Sequence, residues 1–383
     1  MHASDVILTL ADLVRINSVN PSYDGGQPEA EIANFIARFF AERGIETREQ
    51  EVAPGRPNLI ARLPGRTTRR LVFEAHMDTA SVNGMSIPPF EPSISGGRLY
   101  GRGACDTKAG LAAMMEALAA VKRDGIVPPC EIWVVAAADE EFSFKGVLKL
   151  REGLEAAAAV VSEPTEMRLV IASKGVLRWR ICCRGKAAHS AKPHLGVNAI
   201  MNMARLLLIL EEDNRSLLSK ANALVGNPTF NTGVIKGGDQ VNFVPDHCSI
   251  EIDRRLIPGE DIGEVRAHYG RLIEAHPELD AYMEPSMLED YPLETAPDAP
   301  IAACARAVLK DLGLDDEPAG VPFGSDASKL SHGGTPSILF GPGSIDQAHS
   351  AVEYVDCEQV RQAVAFYRGI MTQFALNTTS TGW

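Results

Sequence analysis

Long apolar runs are missing from this sequence. None reaches the ~18–20 residues that a membrane-spanning helix needs, and the Ala156–Val161 run is far too short. No membrane association is expected. Positive charge is also in deficit: Lys and Arg number 37 against 50 Asp and Glu, a net charge of −13. Nucleic-acid binding, which wants a basic patch, is therefore not expected. Acidic balance favours solubility and attracts cations. Cysteine is scarce and unpaired in pattern. The seven residues have no CxxC spacing, and Cys182 and Cys183 are adjacent. Such usage fits reduced, mostly buried thiols of a cytoplasmic protein. Met1-His2-Ala3-Ser4-Asp5 lacks a basic stretch followed by a long apolar run, so no signal peptide is expected. There is no GxxxxGK(S/T) loop, the phosphate-binding element a phosphoesterase reading would call for, and there are no internal repeats.

What is present is ordinary globular composition, 45% hydrophobic and 23% charged, over 383 residues. That length allows more than one domain. Apolar residues at helical spacing predict helices over 5–16, 29–43, 107–122, 298–312 and 357–374. Short apolar segments near 58–63, 70–75, 131–138, 157–162 and 336–340 predict strands. Strands alternating with helices argue for an α/β fold with a mixed, largely parallel sheet. Near residue 177 the pattern changes. Leu177-Arg178-Trp179-Arg180-Ile181 alternates apolar and charged, as a half-exposed strand does. A helix over 197–212, strands near 228–236 and 248–257, a helix near 262–275 and a strand near 279–287 follow. That order is the ferredoxin-like α+β arrangement. The expected organisation is one α/β domain (1–176 and 290–383) interrupted by a smaller insert (177–289). The tail Asn377–Trp383 is polar and expected to fray.

The chemistry-bearing residues cluster where predicted strands end. Leu71-Val72-Phe73 leads into His76 and Asp78, which share one side of an extended chain. Gly101 and Gly103 lead into Asp106 at the mouth of the 107–122 helix, where an aspartate also serves as an ordinary N-cap. Ile132–Ala137 ends in Asp139-Glu140-Glu141, a run of like charges that is usually just solvated, yet costly unless cations are near. Val160-Val161 ends in Ser162-Glu163, and the 336–340 strand is followed by a glycine-rich loop ending in His349. Open α/β sheets bind ligands at the carboxyl ends of their strands. Together these ends offer His, Asp, Glu, Glu and His, a donor set suited to two zinc ions sharing one carboxylate. Calcium or magnesium would not favour two imidazoles.

HMDT (76–79), GRGxxDxKxG (101–110), DEE (139–141), SEPT (162–165) and GPGxxxxAHxxxEY (341–354), in this order, resemble the di-zinc amidohydrolases and metallopeptidases that include acetylornithine deacetylase, succinyl-diaminopimelate desuccinylase, aminoacylase and carboxypeptidase G. The resemblance covers nearly the whole chain. It implies a zinc-peptidase-like catalytic domain and a dimerisation or lid domain that closes on substrate. It also implies two Zn²⁺ ions, for which Co²⁺ can substitute. His76 and Glu163 would hold one ion, Glu141 and His349 the other, and Asp106 would bridge them through a loop with a cis Asp106–Thr107 peptide. Asp78 would orient His76, and Glu140 would be the general base. Gly185-Lys-Ala-Ala-His189-Ser-Ala-Lys-Pro193 resembles an element whose histidine, His189, would act from a partner subunit on the oxyanion. Asn242 and Arg255 would hold a substrate carboxylate, while Arg254, on the opposite side of its strand, is expected to be a surface charge. Ser325 would contact substrate, and Lys174, at the first domain junction, would be either a hinge residue or a substrate contact. The implied reaction is hydrolysis of a small N-acyl amino acid by a cytoplasmic homodimer. A dipeptidase or carboxypeptidase on the same machinery is the alternative. Phe323-Gly-Ser-Asp-Ala-Ser328 does not match any one member's version of the substrate loop, so the resemblance leaves the acyl group open.

Overall fold

The computed structural model describes residues 5–375, and the tail expected to fray lies outside them. The chain divides into two compact units. One comprises Met1–Ile171, Thr295–Ala319 and Ser325–Trp383; the other comprises Ala172–Glu294 and Gly320–Gly324. Among the described residues, no helix is long and apolar enough to cross a membrane.

The first unit is built on a mixed sheet. Its centre is four parallel strands in the spatial order Glu131–Ala137, Arg70–His76, Ala158–Val161 and Ser337–Leu339. Arg56–Leu63 and then Glu46–Ala53 extend it antiparallel on one side. The parallel strands are largely apolar and almost wholly buried, as strands covered on both faces are. Their register is level. His76 lies beside Ala137, Glu74 beside Val161, and Val161 beside Leu339. All four therefore run out at one edge, and the chain leaving each strand enters the same space.

The helix Lys108–Arg123 is buried along nearly its whole length, which explains its Ala-, Leu- and Met-rich sequence. It packs against Cys357–Gln373 and Val6–Arg15. Aromatic contacts fasten the C-terminal helix to the sheet. Phe340 and Phe366 stack at 3.6 Å, and the Tyr367 hydroxyl donates to the Phe340 carbonyl at 2.6 Å. Gly110 marks the tightest approach: a Cβ there would fall 1.6 Å from Ser162 Oγ and 2.5 Å from Ser162 Cβ. A side chain at residue 110 is excluded because the helix start lies directly on the segment that carries Glu163.

The second unit runs strand Gly175–Arg184, helix Ala199–Asn214, strands Thr229–Gly237 and His247–Leu256, helix Ile262–Glu274 and strand Ala281–Met283. Numbered along the unit, these four strands lie in the order 2-3-1-4, all neighbours antiparallel, and Leu288–Asp290 adds a fifth beside Gly175–Arg184. This is the ferredoxin-like order. Arg254 is not a surface charge. Along His247–Leu256 the buried residues are Cys248, Ile250, Ile252, Arg254 and Leu256. Arg254 thus shares the helix-covered face, where its guanidinium pairs with Glu260 at 2.7 Å.

Candidate metal centre

Five residues expected as metal ligands come together in the first unit as two groups. His76, Asp106 and Glu163 form one and Asp106, Glu141 and His349 the other, each with ligand atoms within 4.8 Å of one another. Asp106 belongs to both. Its Oδ1 lies 3.1 Å from His76 Nε2 and its Oδ2 lies 3.3 Å from His349 Nε2. Glu141 meets His349 Nε2 at 3.0 Å. The Asp106–Thr107 peptide is cis.

The electrostatics are those of acids crowded out of water. Burial, reinforced by neighbouring carboxylates, pushes the Glu163 and Glu140 carboxyls well above the usual range, although the His76 charge opposes it. At His76 burial disfavours the imidazolium, but Asp106, Glu140 and Asp78 outweigh it and hold the ring's pKa well above normal. Hydrogen bonding to Asp106 and Glu141 pushes His349 up to about 11. Asp106 is desolvated, yet the two imidazoles bring its carboxyl below the ordinary range. The two imidazoles are thus the nearest groups able to carry positive charge among these acids. A divalent cation in each group would supply it better, and nitrogen and oxygen donors clustered around one shared carboxylate suit such a pair.

Asp78 lies beside His76 and contacts it mainly through its backbone. His76 Nδ1 lies 2.8 Å from the main-chain oxygen of Asp78 and 3.7 Å from its carboxylate. The carboxylate accepts the backbone N–H groups of Glu140 (3.1 Å) and Glu141 (3.2 Å) and the Asn20 side-chain amide (2.7 Å). Residue 78 therefore orients the imidazole with its backbone and the Glu140–Glu141 turn with its side chain. Asp139 continues the arrangement in the left-handed region at φ 66°. It accepts from Asn20 and Ser143 and pairs with Arg56 at 2.9 Å. Arg56 also makes a two-pronged pair with Glu29. Sequence reading missed Asn20, Arg56 and Glu29, which lie far from the motifs in sequence. Glu140 Oε2 is 4.0 Å from His76 Nε2, and Glu140 belongs to neither ligand group.

Ser325 also lies in the first unit but is fully buried, and its carbonyl accepts from Ser328 and Lys329. The remaining candidates belong to the second unit. His189 is exposed on the two-residue strand Ala188–His189, paired with Phe243–Val244, and Asn242 is exposed beside it. Arg255 is half-buried and pairs with Asp253 at 2.7 Å. Lys174 is buried, donates to the Asn227 carbonyl, and is held below its normal pKa by burial and by the charges of Arg255 and Arg254.

Residues 72–373 match the sequence profile of Peptidase family M20/M25/M40. The chain is 31% identical over 385 residues to the acetylornithine deacetylase of Myxococcus xanthus, covering 96% of each. Its fold is similar to that of aminopeptidase PepT from Bacillus cereus, with TM-score 0.79, 24% identity and coverage of 97% and 98% of the two chains. A dinuclear metal binding M20 peptidase from Bacillus subtilis is similar at TM-score 0.74, with 17% identity and 96% of each chain covered. The strand-end donor groups, the mixed sheet and these matches agree, and the chain belongs to the M20/M25/M40 family of metallopeptidases and related amide hydrolases.

Proposed function

We propose that this protein hydrolyses the amide bond of an N-acyl amino acid of the acetylornithine or succinyl-diaminopimelate kind, using two Zn²⁺ ions. The observation that carries the reading is the division of labour among the acids. Two groups share Asp106, and Glu140, next in sequence to Glu141 of one group and 4.0 Å from His76 of the other, belongs to neither. His76, Asp106 and Glu163 would hold one ion, and Asp106, Glu141 and His349 the other. When bound, the ions supply a water of pKa about 7 and polarise the amide oxygen.

Glu140 takes the proton from the attacking water and returns it to the departing amine. A carboxylate in a buried, acid-rich site has the raised proton affinity that suits both steps. The Glu140 backbone N–H donates to the Asp78 carboxylate, which keeps this residue in place. Charge that develops on the amide oxygen is met by His189 of a partner subunit in a homodimer. The second unit serves as the dimerisation and lid domain. Exposed apolar side chains such as Leu208 and Ile235 on it support pairing with a second copy. Lys174, Arg254 and Arg255 concentrate positive charge there, and Arg255 with Asn242 holds the substrate carboxylate by a planar fork.

The likeness to an acetylornithine deacetylase along the whole chain favours a deacylase. Similarity in fold to an aminopeptidase supports a second reading, a dipeptidase or carboxypeptidase. A panel of N-acetyl amino acids, N-succinyl amino acids and dipeptides, assayed with added Zn²⁺ or Co²⁺, separates the two. Turnover of the acyl amino acids is expected, and turnover of dipeptides alone would refute the deacylase reading.

A further inference from the structure

We propose that Glu353 is a positioning residue for the metal centre, setting the loop that carries Asp106 before any ion arrives. The inference rests on the metal-centre reading above. Glu353 is fully buried and lies just before the short strand Tyr354–Asp356. Its Oε2 accepts from Arg102 Nη1 at 2.6 Å and from the Gly103 N–H at 3.1 Å. Its Oε1 accepts the N–H groups of Cys105 at 2.8 Å and Asp106 at 3.1 Å. The Gly101 N–H donates to its main-chain oxygen at 3.1 Å. One carboxylate thus gathers three amides of a six-residue turn, much as a backbone nest gathers an anion.

The connections run on to other metal-facing segments. Glu353 is four residues beyond His349. Arg102, buried against it, donates its second nitrogen to the Ser81 carbonyl at 2.7 Å, three residues beyond Asp78. The pair Arg102–Glu353 therefore ties together the segments that present His76, Asp106 and His349. Asp106 must offer one oxygen to each ligand group, so a small rotation of its loop would spoil both at once. Arg102 offsets the charge of the buried acid, which keeps a second carboxylate beside Asp106 tolerable.

The test uses the full-length protein, with Co²⁺ as the probe. Metal-free wild type, Glu353→Gln and Glu353→Asp are titrated with Co²⁺ and followed by the visible absorption of the bound ion. Circular dichroism establishes that each variant is folded. The aspartate variant keeps the charge facing Arg102 but shortens the arm. In both variants Co²⁺ affinity should fall about 10–100-fold, as it does on losing groups that orient ligands, and the absorption bands should shift. Folded variants with wild-type affinity and bands, even if less heat-stable, would give Glu353 a purely structural role and overturn the inference. An arm on wild type alone needs no variant. In the metal-free protein, amide hydrogens in peptides spanning 101–106 should be protected from exchange. Rapid exchange there would overturn the idea that Glu353 sets the loop beforehand. A wild type that takes up no Co²⁺ overturns the metal-centre reading and this inference with it; wild-type uptake with unchanged variants overturns this inference alone.

Discussion

Replacing Gly110 by alanine should destabilise the protein, although in an open helix the same change stabilises by roughly 1 kcal/mol. Gly110 lies in the first turn of Lys108–Arg123, where the added Cβ would fall 1.6 Å from Ser162 Oγ and 2.5 Å from its Cβ. Neither atom is the tip of a flexible chain. The hydroxyl is enclosed by Thr107 and Tyr367, and the Cβ is fixed to the segment that follows Ala158–Val161. Relief requires the helix and strand to part. Overpacking of this sort costs about 1–3 kcal/mol and sometimes more, and the closeness of a Cβ argues for the upper end. Set against the helix gain, the net loss is about 2 kcal/mol. With a urea slope of ~2–3 kcal/mol/M, the midpoint should fall by a little under 1 M at unchanged slope. Ser162→Gly removes both clashing atoms, so the double variant should recover part of the loss, a coupling of order 1 kcal/mol in a double-mutant cycle. Urea unfolding of the metal-free proteins measures all four corners. A Gly110→Ala protein as stable as wild type, or strictly additive losses, would refute the steric argument.

Asp78→Ala frees the two backbone amides that fix Glu140 and Glu141, and should lower kcat at least tenfold while weakening Co²⁺ binding by about 10–100-fold; steady-state kinetics and Co²⁺ titration report each effect separately. Glu140→Ala should retain metal, measured by elemental analysis, but lose about 10²–10⁴ in kcat as a missing general base does. Mixed and reassembled with His189→Ala, it should regain activity through hybrid dimers, and proven hybrids without recovery would exclude a histidine acting across subunits. His76 and His349 both have raised pKa values in the metal-free protein, yet only neutral imidazoles bind metal. Metal uptake near pH 7 should therefore release protons from these imidazoles and from Glu163, and affinity should rise as pH rises. Calorimetry in buffers of different ionisation enthalpy counts those protons, and proton-neutral binding would contradict the assignment.

Much of the fold could be read from the sequence because packing leaves a periodic trace. Cys357–Gln373 and Val6–Arg15 each bury one face and show it. Glu46–Ala53, with no buried residue, leaves no such trace and went unseen. The donor groups were legible because metal chemistry dictates residue type, and four of the five donors follow level strand ends or lie in the loop beyond one. Their supports were not. Glu29, Asn20 and Arg56 reach Asp139 through the folded chain, at separations that no local pattern records. At Asp78 the residue was singled out, but its backbone and its carboxylate meet different partners. Arg254 shows the limit of alternation. The rule separates it from Arg255 but does not say which side the helices cover, and a buried ion pair with Glu260 makes the apolar side acceptable to an arginine.

The topology also sets an order of assembly on the ribosome. Ser337–Leu339 pairs in parallel with Ala158–Val161, yet roughly 175 residues separate them in the chain. At ~5–20 residues per second, the apolar strand Ala158–Val161 waits about 10–35 s for its neighbour. Throughout that time the nascent chain holds His76, Asp106, Glu141 and Glu163 but not His349. One ligand group is complete and the other lacks its imidazole. A strand edge that will be interior stays open to wrong partners. The last fifty or so residues thus bring both the closing strand and His349, so a chain stalled before them lacks a central strand and one donor of the candidate centre.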